Sequence, residues 1–275
     1  MSRPRVLLAV RRVLLVACAV LILTWLVRAV GRAREEARAA QCVCNLACLE
    51  FALRNYESTY GFLPPAAIAD ADGKPLLSWR VAILPFIEQG SLHKQIKLDE
   101  PWDGPNNRRF NSLRPSIFLC PSHIEVPEKG FTDYVAVIGP RTLLPCGGKA
   151  RRRADIRDDP ASTLVVVESM NSAINWMEPR DLEWDRMSFR LNDHSRPSIS
   201  SNHHYGSYPG PHVIAAGARA SPDNQVVASL GGSMTPETIK SLLIIDDGKK
   251  VVLRRGPWPG PSHYAFPRFF RDFLQ

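Results

Sequence analysis

The sequence predicts an α+β fold, in which a long N-terminal helix packs on a mostly antiparallel β-sheet with long loops. Two observations lead to this prediction. An apolar run at residues 13–27 contains no charged residue, and helix-periodic apolar positions continue after it to Tyr60. Beyond Tyr60 the chain breaks into short β-like segments separated by turns, and the 275 residues include 23 prolines. Such a composition favours short strands and long ordered loops over further long helices.

The apolar run is interpreted as a membrane anchor. A bilayer core requires about 20 helical residues, and the uncharged run is slightly shorter. Arg12 and Arg28 flank it and can place their charged groups at the two interfaces, so the span extends over about residues 12–30. A cleaved signal peptide, with a basic region at 3–12, is the main alternative, and a buried soluble helix is the third. No clean small-x-small cleavage site precedes the arginines that follow, which favours a retained anchor.

The anchor divides the chain into four parts: a basic cytoplasmic N-terminus (1–12), the transmembrane anchor (13–30), an extracytoplasmic α+β domain (31–255) and an aromatic and basic tail (256–275). The two flanks carry four arginines each, so the positive-inside rule does not decide the orientation. The free N-terminal amine weakly favours a cytoplasmic N-terminus.

The second half of the helix is predicted to be amphipathic. Apolar residues recur at three- and four-residue spacing from Leu46 to Tyr60. Gly61 then permits a left-handed stop, and Pro64-Pro65 prevents continuation. This half of the helix therefore needs a surface on which to pack.

The remaining elements follow from apolar runs between turn residues. A short helix is predicted from Phe86 to Gln95, and a second one runs to Leu243 with Thr235 as its N-cap and Pro236 at its first position. The predicted strands are Trp79–Leu84, Ser116–Cys120, Asp133–Ile138, Leu164–Glu168, Val213–Ala216, Gln225–Ala228 and Lys250–Leu253.

Composition and charge argue against a nucleic-acid partner. Hydrophobic residues make up 45% of the chain and charged residues 23%, as in ordinary globular proteins. The net charge of +8 is dispersed except at Lys149–Arg153, which is better explained as a solvated loop. No DNA- or RNA-binding motif accompanies that cluster.

The cysteines leave several possibilities open. Cys120 is the best candidate for a disulfide because it ends a predicted strand just before Pro121. Its partner is Cys146 or Cys42, and the loop entropies differ too little to choose between them. The third possibility is that every thiol is free and buried.

Few residues suggest catalysis. The chain has no Gly-rich phosphate loop, no Gly-x-Ser-x-Gly elbow and no His-Glu-x-x-His motif. His203, His204 and His212 are the candidates for a metal site, although adjacent side chains on an extended segment point in opposite directions. Loop or packing histidines are the simpler interpretation, so the sequence predicts neither a metal nor another cofactor.

A second candidate site is a recognition loop with a charged edge. It consists of Trp176, Glu178, Arg180 and Asp181. The simpler alternative is an ion-pair network that holds Trp176 in the core.

Several strings in a fixed order resemble a known family. They are Arg38–Cys42 with Asn45-Leu46, Asn55–Gly61, Ser78–Val81, Glu100–Asp103, Phe118–Ser122, Thr132–Pro140 and Trp176–Asp181. They resemble the domain-of-unknown-function family DUF1559, which is expanded in planctomycete bacteria and whose members carry a prepilin- or pseudopilin-like N-terminal helix. The resemblance implies a pilin-like domain on the far side of the membrane from the cytoplasm. It also favours Cys42 over Cys146 as the partner of Cys120, because only Cys42 lies in the matching strings.

The chain departs from this family in two places. No Gly-Phe-Thr-Leu-x-Glu peptidase site precedes Val13, so processing and assembly into a fibre are not expected. The family's closing His-x-Gly-Gly-Ala-Asn-Val and Asp-Gly-Ser stretch is degraded around His204–Ser207.

The predicted function is that of a single-pass envelope protein in the cell (inner) membrane, with a structural or protein-interaction role and no catalysis. Its predicted partners are the lipid bilayer and other envelope proteins. The alternatives are an anchored binding module for a metal or a carbohydrate and, less favoured, a hydrolase that uses His203, His204 and His212.

Overall fold

The structure, a computed structural model, describes residues 3–123, 129–145, 150–203, 210–216, 227–231, 234–249, 251 and 253. A long N-terminal helix and several small sheets confirm the α+β class. The aromatic and basic tail predicted at 256–275 lies outside the described residues, as do two of the four residues of the strand predicted at Lys250–Leu253.

Helix α1 (Arg3–Tyr60) is one continuous element of 58 residues, about 87 Å long at 1.5 Å per residue. The described side chains from Val10 to Arg34 are exposed, except for the half-buried Ala29. From Ala39 onwards most side chains are buried, including Leu46, Leu49 and Leu53 at 0% exposure. The side chains of the helix thus change from exposed to buried within about two turns. It ends as predicted, with Gly61 in the left-handed region at φ 82°.

A five-stranded sheet forms the centre of the domain. Its strands are β4 (Tyr134–Ile138), β5 (Leu164–Glu168), β7 (Leu182–Glu183), β8 (His212–Ala215) and β9 (Val227–Ser229). Their order is β7-β4-β5-β8-β9, and all neighbours are antiparallel except the parallel pair β4 and β7. A bulge between Leu164 and Val166 shifts the register of β5 against β8.

The sheet separates two hydrophobic cores. Helix α1 covers one face, where its apolar stripe meets Tyr134, Ala136 and Ile214. On the other face, Val135, Val213 and Ala215 pack with the short helix α4 (Pro236–Leu243). This alternation follows from the two-residue period of strands. Thr235 caps α4 through its side chain, as the sequence predicts.

Smaller elements complete the domain. The hairpin of β1 (Ala67–Ala69) and β2 (Pro75–Ser78) precedes the short helices α2 (Trp79–Ala82) and α3 (Gly90–His93). A two-stranded sheet pairs β3 (Phe131–Thr132) with β6 (Ile174–Asn175). In the described part of the chain, five 3-10 turns connect these elements; they are Leu84–Ile87, Arg108–Phe110, Ser116–Phe118, Arg153–Asp155 and Pro160–Ser162.

The strand prediction is confirmed where apolar runs enter the central sheet and is wrong at two other places. Residues 79–82 form α2 because the Ser78 hydroxyl accepts a hydrogen bond from the backbone N–H of Arg80 and caps a helical turn. Residues 116–118 form a 3-10 turn after Pro115. The helix predicted from Phe86 to Gln95 is divided, because Glu88 adopts a left-handed conformation between Leu84–Ile87 and α3.

Candidate functional site

One end of the central sheet carries polar side chains on the face that α1 covers. Tyr134 on β4 lies opposite Glu168 on β5, and Val213 on β8 lies opposite Val167. The next pair in that register brings His212 beside Glu168. These residues therefore form a row across three neighbouring strands, in the otherwise apolar layer beneath the helix.

Two cysteines join this row from the helix and from a loop. Cys42 on α1 and Cys120 after the Ser116–Phe118 turn form a disulfide that closes a separation of 78 residues, with their Cα atoms 5.2 Å apart. Nε2 of His203 lies 3.3 Å from Sγ of Cys120 and 3.2 Å from Oε1 of Glu168. Both cysteines and the side chains of His203 and Glu168 are fully buried. We refer to Cys42, Cys120, Glu168 and His203 as the buried cluster.

Glu168 is the centre of the charge distribution in this region. Its Oε2 accepts hydrogen bonds from the backbone N–H of His212, at 3.0 Å, and from the ring Nδ1 of the same residue, at 3.3 Å. Burial by itself would raise the pKa of Glu168. The hydrogen bonds and positive charge of His203 and His212 outweigh that effect and lower the pKa to about 2. Glu168 is therefore an ionised carboxylate inside the protein.

His203 is held from both sides. Its Nδ1 lies 3.5 Å from Oε1 of Glu35, which also accepts a hydrogen bond from the Ser122 hydroxyl at 2.8 Å. Burial opposes protonation of the imidazole, but Glu168 and Glu35 overcome that penalty and raise the pKa of His203 above 6.5. Glu35 thus connects the first turns of α1 beyond the apolar run to the buried cluster.

A second imidazole–carboxylate pair supports Cys120. Oδ2 of Asp133 accepts a hydrogen bond from the Cys120 backbone N–H at 2.7 Å, and Oδ1 lies 2.7 Å from Nδ1 of His123. The hydrogen bond to Asp133 raises the pKa of His123 despite partial burial. This arrangement fixes the loop that presents the cysteine.

The structure brings together some of the sequence-predicted site residues. The rings of His203 and His212 lie edge to face with centroids 4.5 Å apart, whereas His204 is outside the described residues. The disulfide joins Cys120 to Cys42, and Cys146 is also outside the described residues. Cys44 and Cys48 carry free thiols, and burial raises their pKa values to about 11 and about 12.

Glu168, Glu35 and Asp133 are site residues that the sequence patterns do not identify. The apolar pattern predicts Glu168 only as the last residue of a strand. A carboxylate that ends the fully apolar run Leu164–Val167 is a signal that could have been used, since a buried strand rarely includes a charge without a partner. Glu35 offers no comparable signal, because its partner Ser122 is 87 residues away in the sequence. Asp133 offers none either, because its contacts with Cys120 and His123 depend on the path of the intervening loop.

The recognition loop is corrected by the structure. Trp176 is fully buried, and its indole N–H donates to the backbone carbonyl of Phe110. Asp181 is also buried and forms an ion pair with Arg80 at 2.5 Å. Among the four residues only Glu178 and Arg180 lie towards the surface, where they pair with each other at 2.7 Å. The four side chains therefore form no common exposed surface, because the core has a buried arginine that requires Asp181.

The ligand types in the buried cluster suit a borderline metal ion. One ligand atom from each of its four side chains lies within 4.8 Å of every other. Thiolate, imidazole and carboxylate are the groups that bind zinc in proteins.

The comparison with known families decides the membership of the chain. The model of the family described as "Protein of unknown function (DUF1559)" matches residues 31–183. The chain belongs to the DUF1559 family. The matched segment includes Cys42, Cys120 and Glu168 and stops before His203 and His212. No curated protein and no solved structure matches the chain.

Proposed function

We propose that this protein is a single-pass component of the cell envelope, anchored in the cell (inner) membrane by α1 and with its folded domain outside the cytoplasm. It acts through structure and protein contacts and not through catalysis. The observation that carries the proposal is the change in the environment of α1 along one unbroken helix.

The apolar half of α1 has no protein partner among the described residues. The chain has a helix near its N-terminus that is long and apolar enough to span a membrane, and no residue of its most apolar 18-residue window is buried. A core helix of a soluble protein would bury such a window. The remaining alternative, a signal sequence, requires cleavage within a helix that continues directly into the domain core.

The domain begins close to the anchor. Glu35 accepts a hydrogen bond from Ser122, only five residues beyond Val30. From Val30 to Tyr60 the helix rises about 45 Å. These distances support a domain that begins near the membrane surface. The C-terminal end of α1, at Tyr60, then lies far from the membrane. A helix with a bare first half and a sheet-packed second half also supports the prepilin-like comparison.

Two features of the buried cluster support the remaining parts of the proposal. A disulfide is typical of proteins in oxidising compartments, which supports an extracytoplasmic domain. The ionisable side chains of the site are buried, with Glu168 at 0% exposure and His203 at 2%, so a substrate has no direct access to them.

Reporter fusions test the topology. An export-dependent enzyme fused after Gln275 should be active, and a reporter that works only in the cytoplasm should be inactive at the same position. A matched pair of fusions after Arg12 serves as the control and should show the opposite pattern. Activity of the cytoplasmic reporter at Gln275 would contradict the proposed orientation.

Site-specific crosslinking tests the role in protein contacts. Tyr60 and Phe62 are partly exposed aromatic side chains at the end of α1, and aromatic residues are enriched at protein interfaces. A photo-reactive residue at Tyr60 should give crosslinks to envelope proteins in intact cells, whereas one at the exposed turn residue Asp72 should give few. Equal and negligible crosslinking at both positions would contradict a contact role for this end of the domain.

A further inference from the structure

We propose that the buried cluster is a redox-gated zinc site, in which Cys42, Cys120, His203 and Glu168 bind Zn²⁺ when the disulfide is reduced. In the oxidised protein the disulfide occupies the same place, so the two states exclude each other. The inference goes beyond the proposed envelope function and does not depend on it.

The convergence of ligand atoms is the first observation. The sulfurs, the Nε2 of His203 and a carboxylate oxygen of Glu168 come from four separate segments, yet they lie within 4.8 Å of one another. Tetrahedral zinc has Zn–S bonds of about 2.3 Å and Zn–N or Zn–O bonds of about 2.0–2.2 Å, which places neighbouring ligands about 3.3–3.8 Å apart. The four ligand atoms are thus gathered within a space close to the size of a zinc site, and the two sulfurs must separate after reduction.

An incompletely satisfied acceptor in the cluster is the second observation. Oε1 of Glu168 is buried, and its contact is with Nε2 of His203, 3.2 Å away, with no further donor among the described residues. That nitrogen is shared with Sγ of Cys120, at 3.3 Å. A buried carboxylate oxygen with one shared donor is incompletely stabilised, and a cation between these atoms would stabilise it.

The groups behind the ligands provide the third observation. A zinc-bound histidine usually places its other ring nitrogen near a carboxylate, and Nδ1 of His203 lies 3.5 Å from Oε1 of Glu35. The second oxygen of Glu168 is held by His212, and the backbone N–H of Cys120 is held by Asp133. Each of these contacts leaves free the atom that would bind the metal.

The chemistry balances with a dithiol as reductant. Two electrons and two protons pass from the dithiol to the protein disulfide, so the Sγ–Sγ bond breaks, two thiols form and the reductant closes its own disulfide. Zn²⁺ then displaces the two thiol protons and the Nε2 proton of the His203 imidazolium, all of which go to solvent, and binds two thiolates, one imidazole and one carboxylate. A second disulfide is the oxidant for the reverse step: it accepts two electrons from the thiolates and two protons from solvent and becomes a dithiol, while the Sγ–Sγ bond of Cys42 and Cys120 re-forms and Zn²⁺ is released.

Titration of the full-length protein in detergent micelles with Co²⁺, followed by Zn²⁺ competition, tests the site. After reduction with a phosphine, the protein should bind about one equivalent of Co²⁺ with the intense near-ultraviolet absorption of thiolate ligation, and Zn²⁺ should abolish that signal. The non-reduced protein should show neither. Equal signals in both states, or none in the reduced protein, would overturn the proposal.

Variants assign the ligands. His203→Gln and Glu168→Gln should each weaken binding at least tenfold, whereas His194→Gln, at an exposed position, should leave it unchanged. Cys44→Ala/Cys48→Ala should also retain binding, because these thiols lie outside the cluster. Loss of binding in that double variant would assign the signal to the wrong cysteines and overturn the proposal.

X-ray absorption of the zinc-loaded, reduced wild-type protein requires no variant and therefore does not depend on the folding of any mutant. The expected shell has two sulfurs at about 2.3 Å and two nitrogen or oxygen atoms at about 2.0–2.2 Å. A shell without sulfur would contradict the site.

Discussion

Individual residues in this protein show that a buried charge has to be explained by its partners. Arg80 is fully buried, donates to Asp181, to the Ser78 hydroxyl and to the backbone carbonyl of Tyr134, and stacks on the ring of Trp79. Asp181 also accepts from the indole of Trp79 and from the backbone N–H of Ala136. The pair thus holds α2 against β4. A buried ion pair of this kind fixes the position of the two elements and adds little net stability.

Asp181→Ala should lower the free energy of unfolding by about 3–5 kcal/mol, because it leaves the Arg80 guanidinium charged and unpaired in the core. Glu178→Ala, which removes a partly exposed pair in the same loop, should cost less than about 1 kcal/mol. Urea denaturation in detergent micelles, followed by tryptophan fluorescence, measures both. Similar costs for the two variants would show that the buried pair has no special role.

Glu50 predicts a pH effect on stability. It lies on the buried side of α1 and pairs with Arg54 at 2.7 Å and with Arg153 at 2.9 Å. Burial raises its pKa from 4.5 to about 7, against the lowering effect of Arg153 and Arg54. The folded state therefore binds more protons than the unfolded state between these values, and stability should fall as the pH rises through that interval.

The expected loss from this carboxyl is about 3 kcal/mol between pH 4.5 and pH 7. Glu50→Gln should remove that decline, whereas Glu36→Gln, at an exposed position on the same helix, should preserve it. Unfolding midpoints at a series of pH values give the comparison. A decline that persists unchanged in Glu50→Gln would exclude this carboxyl as its source.

At the scale of elements, the sequence predicts those helices and strands whose apolar residues recur at a regular spacing. The strand at Leu164–Glu168 and the end of α1 at Gly61 are confirmed because an apolar run and a left-handed glycine each require little else. Residues 79–82 escape prediction because the burial of Arg80 depends on Asp181, about a hundred residues away. The buried cluster was predicted in parts, as Cys42 with Cys120 and as His203 with His212. Their common centre, Glu168, was missed because strand periodicity assigns a face and not a partner.

The packing of α1 on the sheet can be tested with one pair of substitutions to the same residue. Leu53→Asn should destabilise the protein by about 2–5 kcal/mol, because it leaves a cavity and buries an amide in the contact between helix and sheet. Ser58→Asn, at an exposed position one turn later, should change stability by less than about 0.5 kcal/mol. Equal unfolding midpoints for the two variants would contradict the packing.

We also expect the disulfide between Cys42 and Cys120 to link α1 covalently to the rest of the domain. Peptide mapping of the non-reduced, alkylated protein should recover Cys120 linked to Cys42, and Cys44 and Cys48 should be alkylated once the protein is denatured. Closing a loop of 78 residues stabilises a fold by at most about 4.5 kcal/mol in the chain-entropy description. An alkylated Cys120, or its linkage to Cys146, would contradict the pairing.

At the scale of the whole molecule, α1 is the proposed membrane anchor and also the helix on which the domain packs. The domain cannot turn freely on such an anchor, because the chain has no break between the exposed apolar half and the buried half. Glu35, Cys42 and Leu53 then attach the helix to the loops and the sheet at successive heights. The central claim is therefore that residues 10–30 remain in the mature protein as part of this helix.

Intact mass spectrometry of the protein extracted from membranes tests that claim most directly. We expect a chain that retains residues 10–30, remains in the membrane fraction after alkaline extraction and has a mass near 30.7 kDa. A mature chain that begins between residues 28 and 40 and is released in soluble form would contradict it, because the apolar segment would then be a cleaved signal sequence.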